Sequence, residues 1–114
     1  MLIETSERFV AVLSQKPALV PLYKNKRMDV EINGGEERVW MRFDDGHCER
    51  LAAAPERVDV TVSGSIENVT ALINGSERLM LLEEEGRLKV EGHLRHLLAL
   101  ESLFLLTKSG AAAK

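Results

Sequence analysis

Met28-Asp29-Val30-Glu31-Ile32-Asn33-Gly34-Gly35, followed by Arg38-Val39-Trp40-Met41-Arg42-Phe43, decides the fold class. In both runs apolar and polar residues alternate, which is the period of a strand with one face on a core, and Gly34-Gly35 supplies a hairpin turn between them. Asp45-Gly46 is a second turn signal that leads into a weaker strand from His47 to about Ala52. Pro55 separates that strand from Val58, Val60 and Val62. Four consecutive strands with short turns predict an antiparallel meander, and such a sheet must cover its apolar face with helices.

The helices are found on either side of this block. Phe9, Val10, Val12 and Leu13 recur at helical spacing between Ser6 and Gln15, with Thr5 or Ser6 as N-cap and Pro17 at the exit. Ala18 to Tyr23 is apolar but interrupted by Pro21, so a short irregular or helical connection is expected there. After Gly64-Ser65, the spacing of Ile66, Val69, Leu72 and Ile73 predicts a second helix that Gly75 stops. Leu79 to Glu85 fits either a short helix or a strand by period alone. Leu88 and Val90 alternate as a fifth strand, residues 93 to about 108 form a leucine-rich last helix, and the tail 109–114 is expected to fray. The sum is a single α+β domain over residues 1–114, a five-stranded, mostly antiparallel sheet covered on one face by about four to five helices.

Composition narrows the function. At 45% hydrophobic and 29% charged residues the chain has the make-up of a globular protein rather than a disordered one. Aromatics are only 4% of it and the net charge is −3 with Lys and Arg dispersed, so neither stacking platforms nor a phosphate-backbone footprint is present, and nucleic acid is not an expected partner. Cys48 is the only cysteine, which rules out an intramolecular disulfide and fits a reducing compartment. No apolar run reaches the ~18 residues of a membrane span, and Glu4 and Glu7 stand where a secretory signal is basic. A soluble, cytoplasmic chain is expected.

The last helix holds the most informative side chains. Leu94, Leu97, Leu98, Leu100, Phe104 and Leu105 form one broad apolar arc, and Ala99, Leu103 and Leu106 make the opposite side apolar too. A helix greasy nearly all round is core, touches a partner, or borders a cavity. Glu101 falls within that arc, where an unpaired carboxylate must find a partner, protonate or reach water. A structural pairing and a polar anchor for a ligand headgroup are both open to it.

No catalytic set emerges. His93 and His96 stand three apart on a helix, but His47 and Cys48 are strand neighbours that point to opposite faces, so no metal site is expected. Cys48 has no assignable base. Gly34-Gly35 has no phosphate-loop lysine after it, Gly64-Ser65 is an ordinary strand-to-helix turn, and Glu83-Glu84-Glu85 reads as a solvated face. Trp40 and Arg42 share the sheet face opposite Val39, Met41 and Phe43, where Trp40 either packs or marks a partner surface.

Three segments carry a family resemblance. Val58 to Gly64 leads into a helix that ends Leu72-Ile73-Asn74-Gly75, an interval separates Gly75 from Gly86, and Gly86-Arg87-Leu88-Lys89-Val90-Glu91-Gly92 then precedes the leucine-rich helix. Over this C-terminal region the chain resembles the sterol carrier protein 2 domain family, whose members have a five-stranded sheet covered by helices around an apolar tunnel. The resemblance implies a helix at 77–84 and noncovalent binding, with transfer, of a lipid-like or fatty-acyl ligand, with no cofactor and no enzymatic activity. It points to a lining of Leu72, Leu79, Met80, Leu94, Leu97, Leu98, Leu103 and Phe104, with Met41 or Phe43 as the sheet-side floor, and the position of Glu101 in the helix arc makes it the candidate polar anchor. Members often carry an apolar or aromatic pair where this chain has acidic residues at 83–85, which makes sterol the least favoured ligand. The end at Ala113-Lys114 also lacks the peroxisomal address of the eukaryotic carriers. A second use of the same fold is an accessory module with a filled core that docks a protein partner or a second copy of the chain.

Overall fold

The computed structural model describes residues 2–108. The tail 109–114, expected to fray, lies outside the described residues. Helix α1 (Leu2–Ser14) and a 3-10 helix (Pro17–Leu22) precede strands β1 (Arg27–Gly34), β2 (Glu37–Asp44), β3 (His47–Leu51) and β4 (Val60–Gly64). Helices α2 (Ile66–Ile73) and α3 (Leu79–Glu84), strand β5 (Leu88–Glu91) and helix α4 (Leu94–Thr107) complete the order. The segment 79–84, open by period, is the helix that the family resemblance implies.

The sheet has the order β3-β2-β1-β4-β5. Three of its four pairings are antiparallel, and β1 with β4 is parallel. The expected meander is therefore corrected at its fourth strand. Residues 52–59 carry the chain past β2 and β1, and Val60 pairs with Val30 rather than with β3. Asp59 fastens the crossing by donating its N–H to the Asp29 carbonyl at 2.8 Å and accepting the Asp29 N–H on Oδ2 at 2.8 Å. That reciprocal pair leaves Val58 outside the strand, which starts at Val60 instead.

Register puts Met28, Val30 and Ile32 of β1 beside Phe43, Met41 and Val39 of β2, and Val60 and Val62 of β4 on the same face. All eight are buried. Helix α1 packs on β2 and β3, α2 on β1 and β4, α3 on β5, and α4 on α1 and α3, so the helices share that face. Ser65 caps α2, its Oγ accepting the Asn68 N–H at 3.1 Å, and so gives the Gly64-Ser65 turn a structural task.

The opposite face carries a network of polar side chains. Arg42 grips the buried Asp29 through two hydrogen bonds of 2.8 and 3.2 Å. The Trp40 Nε1 donates to Glu31 at 2.9 Å and Asn33 donates to the other Glu31 oxygen at 3.0 Å. Those two bonds hold the Glu31 carboxyl below the usual carboxylate range, the Trp40 bond most strongly. Trp40 is thus tied into its own sheet. One residue of the acidic run is also engaged: Glu85 pairs with Arg87 at 3.3 Å, and Arg87 also pairs with Glu77 at 2.6 Å and holds Asn68 of α2.

Candidate functional site

Between α1, the 3-10 helix and the β2–β3 turn lies a pocket of about 230 Å³ with Val10, Leu13, Pro17, Val20, Tyr23 and Cys48 among its walls. It continues outward between α1 and β3 as a groove of about 360 Å³ that shares Val10, Ser14, His47 and Cys48. Pro17 opens the 3-10 helix at its first position and Pro21, inside it, is incompatible with a continuous α-helix here; the segment contains no fully buried residue. Leu19, Val20 and Leu22 only lean on the core.

Behind this pocket is a row of aromatic rings packed edge-on. Tyr23 lies 6.0 Å from Phe43, Phe43 lies 6.1 Å from Phe9, and Phe9 lies 4.8 Å from Phe104 of α4. The geometry is the one that the ring quadrupole favours. It links the pocket wall to the middle of the helical layer.

The pocket's one reactive group is chemically quiet. Burial pushes the Cys48 thiol up to about 12, with the neighbouring Glu49 carboxylate adding to the shift. Burial also raises Tyr23. A thiol that stays protonated serves as a small apolar wall and not as a nucleophile. At pH 8, labelling of Cys48 by iodoacetamide should be roughly a thousandfold slower than in the urea-unfolded chain, because a three-unit rise in pKa cuts the thiolate fraction by that factor. A native rate within tenfold of the unfolded one would contradict this. The sign of the linkage also follows. Ionisation belongs to the unfolded state first, so stability from this group is intact below pH 9 and declines as pH rises toward 12.

The expected lining divides into three groups. Met41, Phe43, Leu72, Leu79, Leu97, Leu103 and Phe104 are buried together in the core, with Met80 partly buried against them. Leu94 and Leu98, placed in the lining by the family resemblance, instead stand outward at 59% and 46% exposure. The reason is the rotation of α4, which turns Leu97, Leu100, Leu103 and Phe104 inward on the side that packs against α1, α3 and the 3-10 helix. The pocket walls Val10, Leu13, Val20 and Cys48 were not marked by the sequence as a site, since each sits in a different local pattern.

Glu101 reaches the start of α3, where its Oε2 accepts the Met80 N–H at 3.0 Å. Arg78 at the N-cap of α3 makes no capping bond, so the carboxylate supplies one from another helix and favours the positive end of the helix dipole. Glu101→Ala should lower stability by about 1 kcal/mol, the usual loss of a cap, while Glu101→Gln retains most of it. Equal urea midpoints for wild type and Glu101→Ala would remove the capping role.

Among the described residues no three His, Cys, Asp or Glu side chains converge, and His93 and His96 face each other only at 6.0 Å between ring centroids. No helix among the described residues is long and apolar enough to cross a membrane.

A family model for the SCP-2 sterol transfer family matches residues 7–105. This chain belongs to that family. Among solved structures, a sterol carrier protein 2 aligns with a TM-score of 0.66 at 10% identity, covering 92% of this chain and 94% of the other. The sterol carrier protein domain 2 of Helicoverpa armigera aligns with a TM-score of 0.59 at 17% identity, covering 92% and 85%. The sec-alkylsulfatase Pisa1 from Pseudomonas sp. aligns with a TM-score of 0.62 at 14% identity; the match covers 74% of this SCP-2 family chain and only 14% of the sulfatase. These identities speak to the fold. A search of curated proteins finds no match to this SCP-2 family member.

Proposed function

We propose that this SCP-2 family chain binds a fatty-acyl or similarly flexible lipid-like molecule noncovalently, admits it at the pocket beside α1, and passes it on. The carrying observation is the pocket of about 230 Å³, mostly apolar in its walls with Ser14 and His47 at its edge and backed by the row of aromatic rings. Its size is below the ~300–1,000 Å³ of drug-sized ligand sites, so a long chain needs further room inside. The 3-10 helix is the element that can yield it, because it has no fully buried residue to withdraw. The inner lining would then be Met41, Phe43, Leu72, Leu79, Met80, Leu97, Leu103 and Phe104. Each buried methylene contributes about 0.8 kcal/mol, which gives an acyl chain ample affinity without any covalent step. A flexible chain can thread a narrow apolar space, whereas a rigid sterol requires one already open.

Displacement of a fluorescent fatty acid, together with native mass spectrometry, tests this directly. Uptake of one acyl chain, with amide shifts at Val10, Leu13, Val20 and Tyr23, is expected. Val20→Asp should weaken it more than tenfold, because a half-buried apolar wall becomes charged. No uptake, or uptake indifferent to Val20→Asp, would leave the accessory-module reading. The closed aromatic row favours that second reading, as does the small share of a much larger enzyme that aligns with the chain.

A further inference from the structure

A second cleft, remote from the α1 pocket in chemistry, lies between the chain entering β1 and the first turn of α4. It holds about 270 Å³ and is lined by Asn25, Lys26, Arg27, Arg95 and His96. No carboxylate is among these walls. The chain as a whole is acidic, with 18 Asp and Glu against 15 Lys and Arg, so three cations and a histidine around one small space are a local reversal of its charge.

The cations are not consumed by internal pairing. Neither Lys26 nor Arg95 makes an ion pair among the described residues, and Lys26 only approaches the Leu22 carbonyl at 3.5 Å. Arg27 lies 3.8 Å from Asp29, a carboxylate already gripped by Arg42 at 2.8 Å. The loop presenting them is fixed in place. Asn25 adopts a left-handed φ of 59°, and Asp45 holds it by accepting the Asn25 N–H and donating to the Lys26 carbonyl, each at 2.8 Å. From the other side, α4 begins with no acidic residue in its first turn and no side-chain cap from His93, so its positive end adds to the same field. His96 is held below the usual histidine range by burial, most strongly, against the opposing pull of Asp59, so near neutral pH it can offer a ring N–H rather than a full charge.

We propose that this cleft is a binding site for a phosphate group, gripped by Lys26, Arg27 and Arg95. Two sources present that chemistry, the headgroup of an anionic lipid in a bilayer and a soluble phosphate compound. Leu94 and Leu98, exposed one helical turn apart on α4 next to Arg95, favour the bilayer, because they set apolar side chains beside the cations where acyl chains would lie beneath the headgroups. The proposal stands apart from acyl binding, which is read at Val10, Val20 and Tyr23.

The test uses two probes on the intact chain. Inorganic phosphate is titrated while amide shifts are followed, and sedimentation is measured with phosphatidylcholine vesicles made with and without phosphatidylglycerol. Lys26→Ala/Arg95→Ala changes two exposed side chains, and Arg78→Ala/Lys89→Ala removes the same charge elsewhere. Thermal midpoints confirm that both variants fold. The expected result is binding to phosphatidylglycerol vesicles that falls roughly 30-fold in the cleft variant but not in the control, at about fivefold for each basic group lost. Leu94→Ser/Leu98→Ser should then reduce vesicle binding while leaving phosphate shifts at Lys26 and Arg95 unchanged. Phosphate shifts confined to the cleft, without vesicle binding, would support the site and assign it to a soluble phosphate compound. Absence of both, or equal losses in cleft and control variants, would overturn it.

Discussion

Phe104→Ala should lower the stability of the unliganded protein by about 3–5 kcal/mol, and an acyl ligand should return part of that loss. Phe104 is fully buried, and its ring packs edge-on against Phe9 at 4.8 Å, the inner end of the row that begins at Tyr23 in the pocket wall. Truncation removes a ring's worth of contacts and leaves a space that its neighbours fill only in part. In an ordinary core nothing repairs such a space. In a ligand-binding core it extends the route that starts between Val10, Val20 and Cys48, so an acyl chain gains volume to occupy. Saturation at a hundredfold excess over Kd adds about 2.7 kcal/mol to any protein that binds only when folded. The variant should bind more tightly than the natural chain and therefore show the larger ligand-induced rise in thermal midpoint. Should Phe104→Ala not fold alone, Phe104→Leu provides the same comparison with a smaller void. A ligand-induced rise no greater than that of the natural chain, in both variants, would place the ring row off the ligand's path.

How much of this was legible in the sequence depends on the range of the interaction. The β1–β2 hairpin was fully legible, because Met28-Val30-Ile32 and Val39-Met41-Phe43 state their faces by alternation and Gly34-Gly35 states the turn. The parallel partner of β1 was not, since the match of Val30 to Val60 joins residues thirty apart and leaves no local trace. The last helix was legible in extent but not in rotation. Leucines on all sides made Leu94 and Leu98 as good a choice for the interior as Leu97 and Leu100, and only packing against the neighbouring helices decided between them. That Glu101 needed a partner, a proton or water followed from its place in the apolar arc, yet the partner it takes is a backbone N–H of α3 that no side-chain pattern announces. The pocket was illegible for a related reason, as α1, the 3-10 helix and β3 each contribute two or three unremarkable side chains to it.

Gly75→Ala should be about as damaging as the loss of the Phe104 ring, and it acts on the same helix from outside the ring row. Gly75 follows α2 with φ +77°, and an added Cβ would stand 2.4 Å from the Phe104 carbonyl oxygen and 3.0 Å from the Lys108 Cα. Both obstacles include backbone, so no rotamer change relieves them. The carbonyl is also in use, accepting the Lys108 N–H and the Thr107 hydroxyl at 3.1 Å each as α4 closes in a left-handed residue at Lys108. Left-handed backbone in a residue with a Cβ costs about 1–2 kcal/mol, and forcing α2 and α4 apart adds about 1–3 kcal/mol more. Gly35→Ala separates the two contributions. Gly35 has a similar φ of +63° in the β1–β2 turn but nothing within 4 Å of its added Cβ, so it should show the backbone cost alone. Urea unfolding should therefore place Gly75→Ala below Gly35→Ala by the cost of the clash, with hydrogen exchange at Thr107 and Lys108 accelerated only in the former. Equal losses in the two variants would mean that α2 and α4 do not meet at Gly75, and the seat of Phe104 in the ring row would have to be redrawn with them.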